Sequence, residues 1–233
     1  MRQLSVSNFY FSQLFWQIIF DATEASLSRN RNKIQDLFYS RDILVEQAEY
    51  KTGSVNLSSM YTLYALAAYF QPERVAEVGT FIGKTTGAIA SAMESYKASQ
   101  DLIIYTCDYS NDILIPKDSE VEIEQFPKQS SSQMFDELNR RNIKIDFFFI
   151  DGRIDKSDIG RIGALAKEKS IYVLDDFEGT EKGVINSILL ANLLRTHFLI
   201  YPVSRTCEYK EFSIRRNTTA VLMPIGLFSR VNQ

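Results

Sequence analysis

In the stretch RVAEVGTFIGKTTGAIA, Arg74 to Ala90, an apolar run ends in one glycine, a second follows four residues later, and helical composition begins at once. Few architectures ask for that order. A strand that turns through glycine into a helix leaves the helix's first N–H groups facing outward, where they can hold a ligand. One such device is the P-loop, G-x-x-x-x-G-K-[ST], and Gly83-Lys84-Thr85 supplies its ending. Counting argues against it. Only Thr80, Phe81 and Ile82 separate Gly79 from Gly83, and Val78 stands where the first glycine belongs. A loop one residue short points its N–H donors elsewhere. What remains is a buried strand carrying an acid, Glu77, before a glycine turn and a helix.

The rest of the chain extends this unit. Apolar runs at 102–107 (LIIYTC), 121–126 (VEIEQF), 145–150 (IDFFFI) and 171–174 (IYVL) read as strands. Helical composition lies between several of them: Ser58 to Gln71 with a serine cap and a Pro72 stop, Lys84 to Tyr96, Ser131 to Arg141, Asp158 to Lys169, and about Glu181 to Leu194. This alternation predicts an α/β fold, a doubly wound, mostly parallel sheet covered on both faces. HFLIYPV and TTAVLMP then follow one another with only a polar loop between, so the sheet is expected to close with an antiparallel pair. In such a sheet ligands bind beyond the carboxyl ends of the strands. Those ends are acidic here: Glu77, Asp108, Asp151 and the pair Asp175-Asp176. Aspartate is a common strand terminator and helix cap, which accounts for one or two of them.

Composition bounds the function. A chain of 233 residues, 45% hydrophobic and 24% charged, has the balance of one globular domain. A net charge of -3 gives no electrostatic footprint for nucleic acid, and none is expected as a partner. Cys107 and Cys207 make no metal spacing, and with His197 the single histidine, zinc chemistry and a serine–histidine relay are both poorly supported. A cytoplasmic setting fits. The apolar segment Phe9 to Phe20 is too short to span a membrane and is broken by Ser12, Gln13 and Gln17. Phe11, Phe15, Trp16 and Ile19 recur at helical spacing, so residues 1–52 are expected to form a helical segment packed on the domain (53–233) or on a second subunit.

AEVGTFIGKTT followed by YTCDYSND, DFFFIDG and YVLDDFEG resembles the class I S-adenosylmethionine-dependent methyltransferases, within them the catechol and caffeoyl-CoA O-methyltransferase group, from about Gly53 to Pro224. The resemblance implies a Rossmann-like domain with added N-terminal helices, frequently a homodimer, that methylates a small-molecule hydroxyl. It implies cofactor contacts at Ser54, Val55, Glu77, Gly79, Thr80, Gly83, Thr85, Asp108, Tyr109, Ser130, Ser131 and Asp151. Asp108 would accept both ribose hydroxyls and Tyr109 would pack on adenine, while Ser130 and Ser131 serve equally as helix caps. Asp151, Asp175 and Asp176 match the positions that hold a divalent cation, Mg²⁺ in the first instance, against the acceptor oxygen. The group has an amide where this chain has Asp176, and the added charge is compatible with Ca²⁺ or Mn²⁺ or with no ion. Three close carboxylates need a cation, a basic partner such as Arg153 or Lys156, or raised pKa values. The group's lysine base falls on Ile154, which leaves Asp151, Asp155 and Lys156 as candidates for proton transfer.

Two other classes are compatible with the residues: a module that binds the cofactor without catalysis, and an NTPase using FFFID or IYVLD as its second phosphate-site strand. The acceptor walls are expected in 110–120, 178–182, 204–217 and the N-terminal helices, whose mixed polarity suits a polar small molecule as well as a catechol.

Overall fold

Seven strands form one sheet in the order β3-β2-β1-β4-β5-β7-β6 in the computed structural model, which describes residues 6–47, 54–96, 102–110, 119–177, 182–194, 197–202 and 218–227. The strands are β1 (Arg74–Val78), β2 (Ile103–Asp108), β3 (Glu122–Pro127), β4 (Ile145–Ile150), β5 (Ala166–Leu174), β6 (His197–Ile200) and β7 (Ala220–Pro224). The first five are parallel, and β7 runs antiparallel to both β5 and β6, as expected of the closing pair. From β1 the chain winds outward to β2 and β3, then returns to β4 on the other side. The β1–β4 boundary is therefore the switch point where the crossovers diverge and leave a crevice.

The helices are α1 (Val6–Asp42), α2 (Leu57–Phe70), α3 (Lys84–Ser95), α4 (Ser131–Arg140), α5 (Asp158–Leu165) and α6 (Gly183–Leu193). The middle of the sheet is apolar on both faces, so β1, β2 and β4 read as near-continuous hydrophobic runs, whereas the edge strand β3 (EIEQFP) is largely polar. In β4, Phe147 and Phe149 join the core beneath α1, α2 and α3, whereas Phe148 and Ile150 join the core beneath α4, α5 and α6. The N-terminal helix is one element of 37 residues. It buries Phe15, Trp16, Ile19, Phe20, Leu27 and Ile34 in the same cluster as Leu63, Val75 and Phe147. Trp16 Nε1–H donates to the Tyr201 carbonyl (2.6 Å), and Tyr201 N–H donates to Ser12 Oγ (3.0 Å), fixing α1 to the end of β6. Among the described residues no helix is long and apolar enough to cross a membrane.

Three boundaries differ from the sequence expectation. The cap of α2 is Asn56, whose Oδ1 accepts the Ser59 N–H at 3.0 Å, two residues before the expected serine. Helix α5 stops at Leu165, and Lys167–Lys169 belong to β5. There Ser170 Oγ accepts the Lys167 N–H and donates to the Ile145 carbonyl, so a helix-forming composition is drawn into the strand. Helix α6 begins at Gly183, because Gly183 must lie against the preceding turn.

Candidate functional site

The crevice is built on the glycine turn. Gly79 has φ +98° and Gly83 φ +70°, both in the region open to glycine at little cost. Gly79 N–H and Thr80 N–H both donate to the Cys107 carbonyl, and Gly83 N–H donates to the Thr80 carbonyl at 2.8 Å. A Cβ at Gly79 would lie 3.1 Å from Gly152 N and 3.3 Å from Asp151 C, so the turn after β1 is pressed against the end of β4. Beneath the turn Glu77 is fully buried, and its carboxylate accepts the hydroxyls of Thr85 (2.6 Å), Thr86 (2.5 Å) and Thr106 (2.6 Å). Burial raises its pKa, and the three hydrogen bonds partly offset that rise. Glu77 therefore lies behind the wall of the crevice, where it locks α3 to β1 and β2; the expected direct contact of its side chain with a ligand is not what its surroundings support.

A cavity of about 280 Å³ opens above the turn. Its wall includes Gly79, Thr80, Thr85, Asp108, Tyr109 and Ser131, with Ser54 and Val55 on the α2 side and Asp151 on the β4 side. The Asp108 carboxylate is held by backbone donors, Phe81 N–H on Oδ2 (2.7 Å) and Ser110 N–H on Oδ1 (2.7 Å). Each oxygen keeps lone-pair capacity for a further donor, the arrangement a vicinal diol requires. Tyr109 stands 66% exposed beside it. Ser131 reaches the cavity while donating to buried Asp158 (2.7 Å). Ser130 does not line the cavity: it caps α4 in a reciprocal box with Gln133, the alternative role open to it from sequence.

Lys84, the residue that lends the turn its P-loop look, leaves the loop. Its ammonium is buried, donates to Asp42 Oδ1 (2.7 Å) and Ser54 Oγ (2.6 Å), and sits 4.1 Å above the Phe38 ring. It thereby ties the end of α1 to the cavity lip.

On the other side of the cavity Asp151, Asp175 and Asp176 converge, with carboxylate oxygens within 4.8 Å of one another. Asp176 adopts φ +54° to make the turn after β5. Between Asp151 and Asp176 lies Lys182, a residue that the sequence reading did not single out. Its Nζ is 2.9 Å from Asp176 Oδ2 and 3.4 Å from Asp151 Oδ1, and it lines the cavity. One oxygen of Asp175, Oδ1, accepts the hydroxyls of Thr218 (2.7 Å) and Thr219 (3.3 Å). Burial, then the Asp175 charge, hold the Asp151 carboxyl well above the usual carboxylate range, and Lys182 works in the opposite sense. Burial also raises Asp175, against the Thr218 hydrogen bond.

Lys156 does not join this group. Together with Asp155 it is exposed on the turn leading into α5, because buried Ile154 anchors that loop beneath α6. The lysine beside the carboxylates is Lys182, and its only sequence signal was a basic residue directly before the glycine that opens α6. Of the expected acceptor walls, 111–118, 178–181 and 203–217 lie outside the described residues.

No family model and no curated protein sequence matches the chain. Solved structures do match in fold. The O-methyltransferase TomG from Streptomyces achromogenes, involved in tomaymycin synthesis and solved with S-adenosylmethionine, aligns at a TM-score of 0.59 and 16% identity over 81% of this chain and 89% of that one. An O-methyltransferase from Bacillus cereus in complex with S-adenosylhomocysteine aligns at 0.54 and 13% identity, over 82% and 90% of the two chains. The methyltransferase PaMTH1 of Podospora anserina, also bound to S-adenosylhomocysteine, aligns at 0.51 and 13% identity over 88% and 95%. The resemblance read from the glycine turn and the strand-end acids thus extends to the whole sheet as a Rossmann-like methyltransferase fold.

Proposed function

We propose that this chain is an S-adenosylmethionine-dependent methyltransferase that transfers a methyl group to the hydroxyl of a small molecule. The observation that carries the reading is Asp108: a carboxylate at the end of β2, held by two backbone N–H groups beside the glycine turn and opening onto the cavity. In this reading Asp108 accepts the ribose hydroxyls and Tyr109 packs on the adenine. Ser54, Val55, Gly79, Thr80, Gly83, Thr85 and Ser131 shape the channel for the rest of the cofactor. Glu77 acts one layer back, by fixing the threonines that hold the turn.

The sulfonium is already an activated donor, so the protein's task is to hold the acceptor in line with it. An acceptor oxygen lone pair forms the new O–C bond, the S–CH₃ electron pair returns to sulfur, and S-adenosylhomocysteine leaves as a neutral thioether. The acceptor's proton passes to the Asp151 carboxylate and on to solvent. Asp151 lines the cavity and is desolvated there, as a general base should be. Lys156 has no part in this step.

The residues fit a divalent ion poorly. Their chemistry is right, since a hard cation takes oxygen ligands. Two of the three carboxylates, however, already share an ammonium, and one oxygen of the third accepts two threonine hydroxyls. The test is direct: incubation with methyl-labelled S-adenosylmethionine and a panel of hydroxylated acceptors should yield labelled ether and S-adenosylhomocysteine. Cofactor binding with no turnover on any acceptor would favour the non-catalytic reading, for which Ile154 in place of the group's lysine is the supporting observation. The nucleotide-hydrolase reading has less support, because Lys84 is engaged by Asp42 and Ser54.

A further inference from the structure

We propose that Lys182 is the resident cation of the acceptor site: its ammonium, held between Asp151 and Asp176, offsets part of the carboxylates' charge and anchors the acceptor oxygen, so that transfer proceeds without a divalent ion. The proposal rests on the methyltransferase reading and on three features of the chain. The first is the geometry of the ammonium, 2.9 Å from Asp176 Oδ2 and 3.4 Å from Asp151 Oδ1. A divalent ion bridging these two aspartates would need the same lone pairs and would meet a positive charge beside them.

The second feature is that Lys182 is delivered by packing on both sides. A Cβ at Gly183 would lie 2.3 Å from the Asp175 carbonyl oxygen and 2.7 Å from Phe177 N, so the start of α6 is seated on the turn that carries Asp175 and Asp176. On the other side Asn186, whose own N–H donates to the Lys182 carbonyl (2.8 Å), gives its Nδ2–H to the Gly152 carbonyl at 2.9 Å and accepts the Ile154 N–H. The residue just before α6 is thus clamped over both carboxylate turns. The third is the division of labour among the acids. Asp175 gives its Oδ1 to Thr218 and Thr219, while the Lys182 ammonium makes its contacts to Asp151 and Asp176, a pair that one ammonium can bridge. An ammonium has three donors, and two aspartates leave one for an incoming oxygen.

The experiment titrates Mn²⁺ into the full-length protein, following free Mn²⁺ by electron paramagnetic resonance, for the wild type, Lys182→Met and Lys182→Arg. We expect no stoichiometric uptake by the wild type or by Lys182→Arg, and an affinity about tenfold or more stronger in Lys182→Met, where the carboxylates lose their cation. Stoichiometric uptake by the wild type overturns the proposal, and so does a folded Lys182→Met that gains nothing. If Lys182→Met does not fold, the wild-type titration still decides. Calorimetry with S-adenosylmethionine on the same samples separates the two claims: a wild type that binds no cofactor sinks the methyltransferase reading, whereas the Mn²⁺ result bears on Lys182 alone.

Discussion

Glu77 has three threonine hydroxyls on its two carboxylate oxygens at zero exposure, so removing the carboxylate strands three donors at once. We expect Glu77→Ala to lower unfolding free energy by about 3 kcal/mol in guanidinium titration, with Glu77→Gln costing less because it keeps the shape and a hydrogen-bonding head. The sign with pH follows from burial. A carboxyl whose folded pKa is raised contributes stability that is fully present below its unfolded value, about 4.3, and is lost as pH rises through the higher folded value. Wild-type stability should therefore decline relative to Glu77→Gln as pH rises through that window. A difference that grows instead would mean the site prefers the anion. An acid at a strand end was legible in the sequence as important, yet not as structural, because Val75, Ala76 and Val78 are apolar on both faces of β1 and give no clue to which face Glu77 takes. The place of Asp108 at the end of β2 was legible, since the apolar run LIIYTC stops at it, whereas its closeness to the glycine turn comes from the pairing of β1 with β2.

At the scale of elements, α6 is the piece that organises the acceptor side. We expect Gly183→Ala to lower the melting temperature, because a methyl group 2.3 Å from the Asp175 carbonyl must push α6 off its turn. The same shift should withdraw Lys182, so the variant should gain Mn²⁺ affinity as Lys182→Met does. Unchanged stability would show that the close approach is not needed. The alternation of strands and helices was readable because the inner parallel strands are continuous apolar runs, and the antiparallel close was readable because the stretch between HFLIYPV and TTAVLMP reads as a polar loop. Lys182 was not readable. Its meaning depends on Gly183 seating α6 against Asp175–Phe177, a contact between backbones that leaves no periodicity in the sequence. Lys156 drew the eye instead because it lies near Asp151 in sequence, and the Ile154 anchor turns it outward.

At the scale of the molecule, one face of α1 is part of the core. Its buried aromatics cover α2 and α3, and Lys84 joins the end of α1 to the cavity through Asp42. We expect a chain lacking residues 1–52 to be insoluble or to lose its cooperative unfolding transition; a monodisperse, stable truncation would mean the helix is an accessory. Leu14, Tyr39 and Ile43 are exposed on the segment, and sedimentation of the full chain tests the homodimer that the resemblance implies. Cofactor binding decides between the readings, and it is measured by calorimetric titration of S-adenosylmethionine into the wild type and Asp108→Ala. We expect one site per chain, weakened in a folded Asp108→Ala by about 1.5 to 3 kcal/mol through the lost ribose hydrogen bonds, with ATP giving no comparable heat. Absence of S-adenosylmethionine binding to the folded wild type, or an affinity indifferent to Asp108, would contradict it.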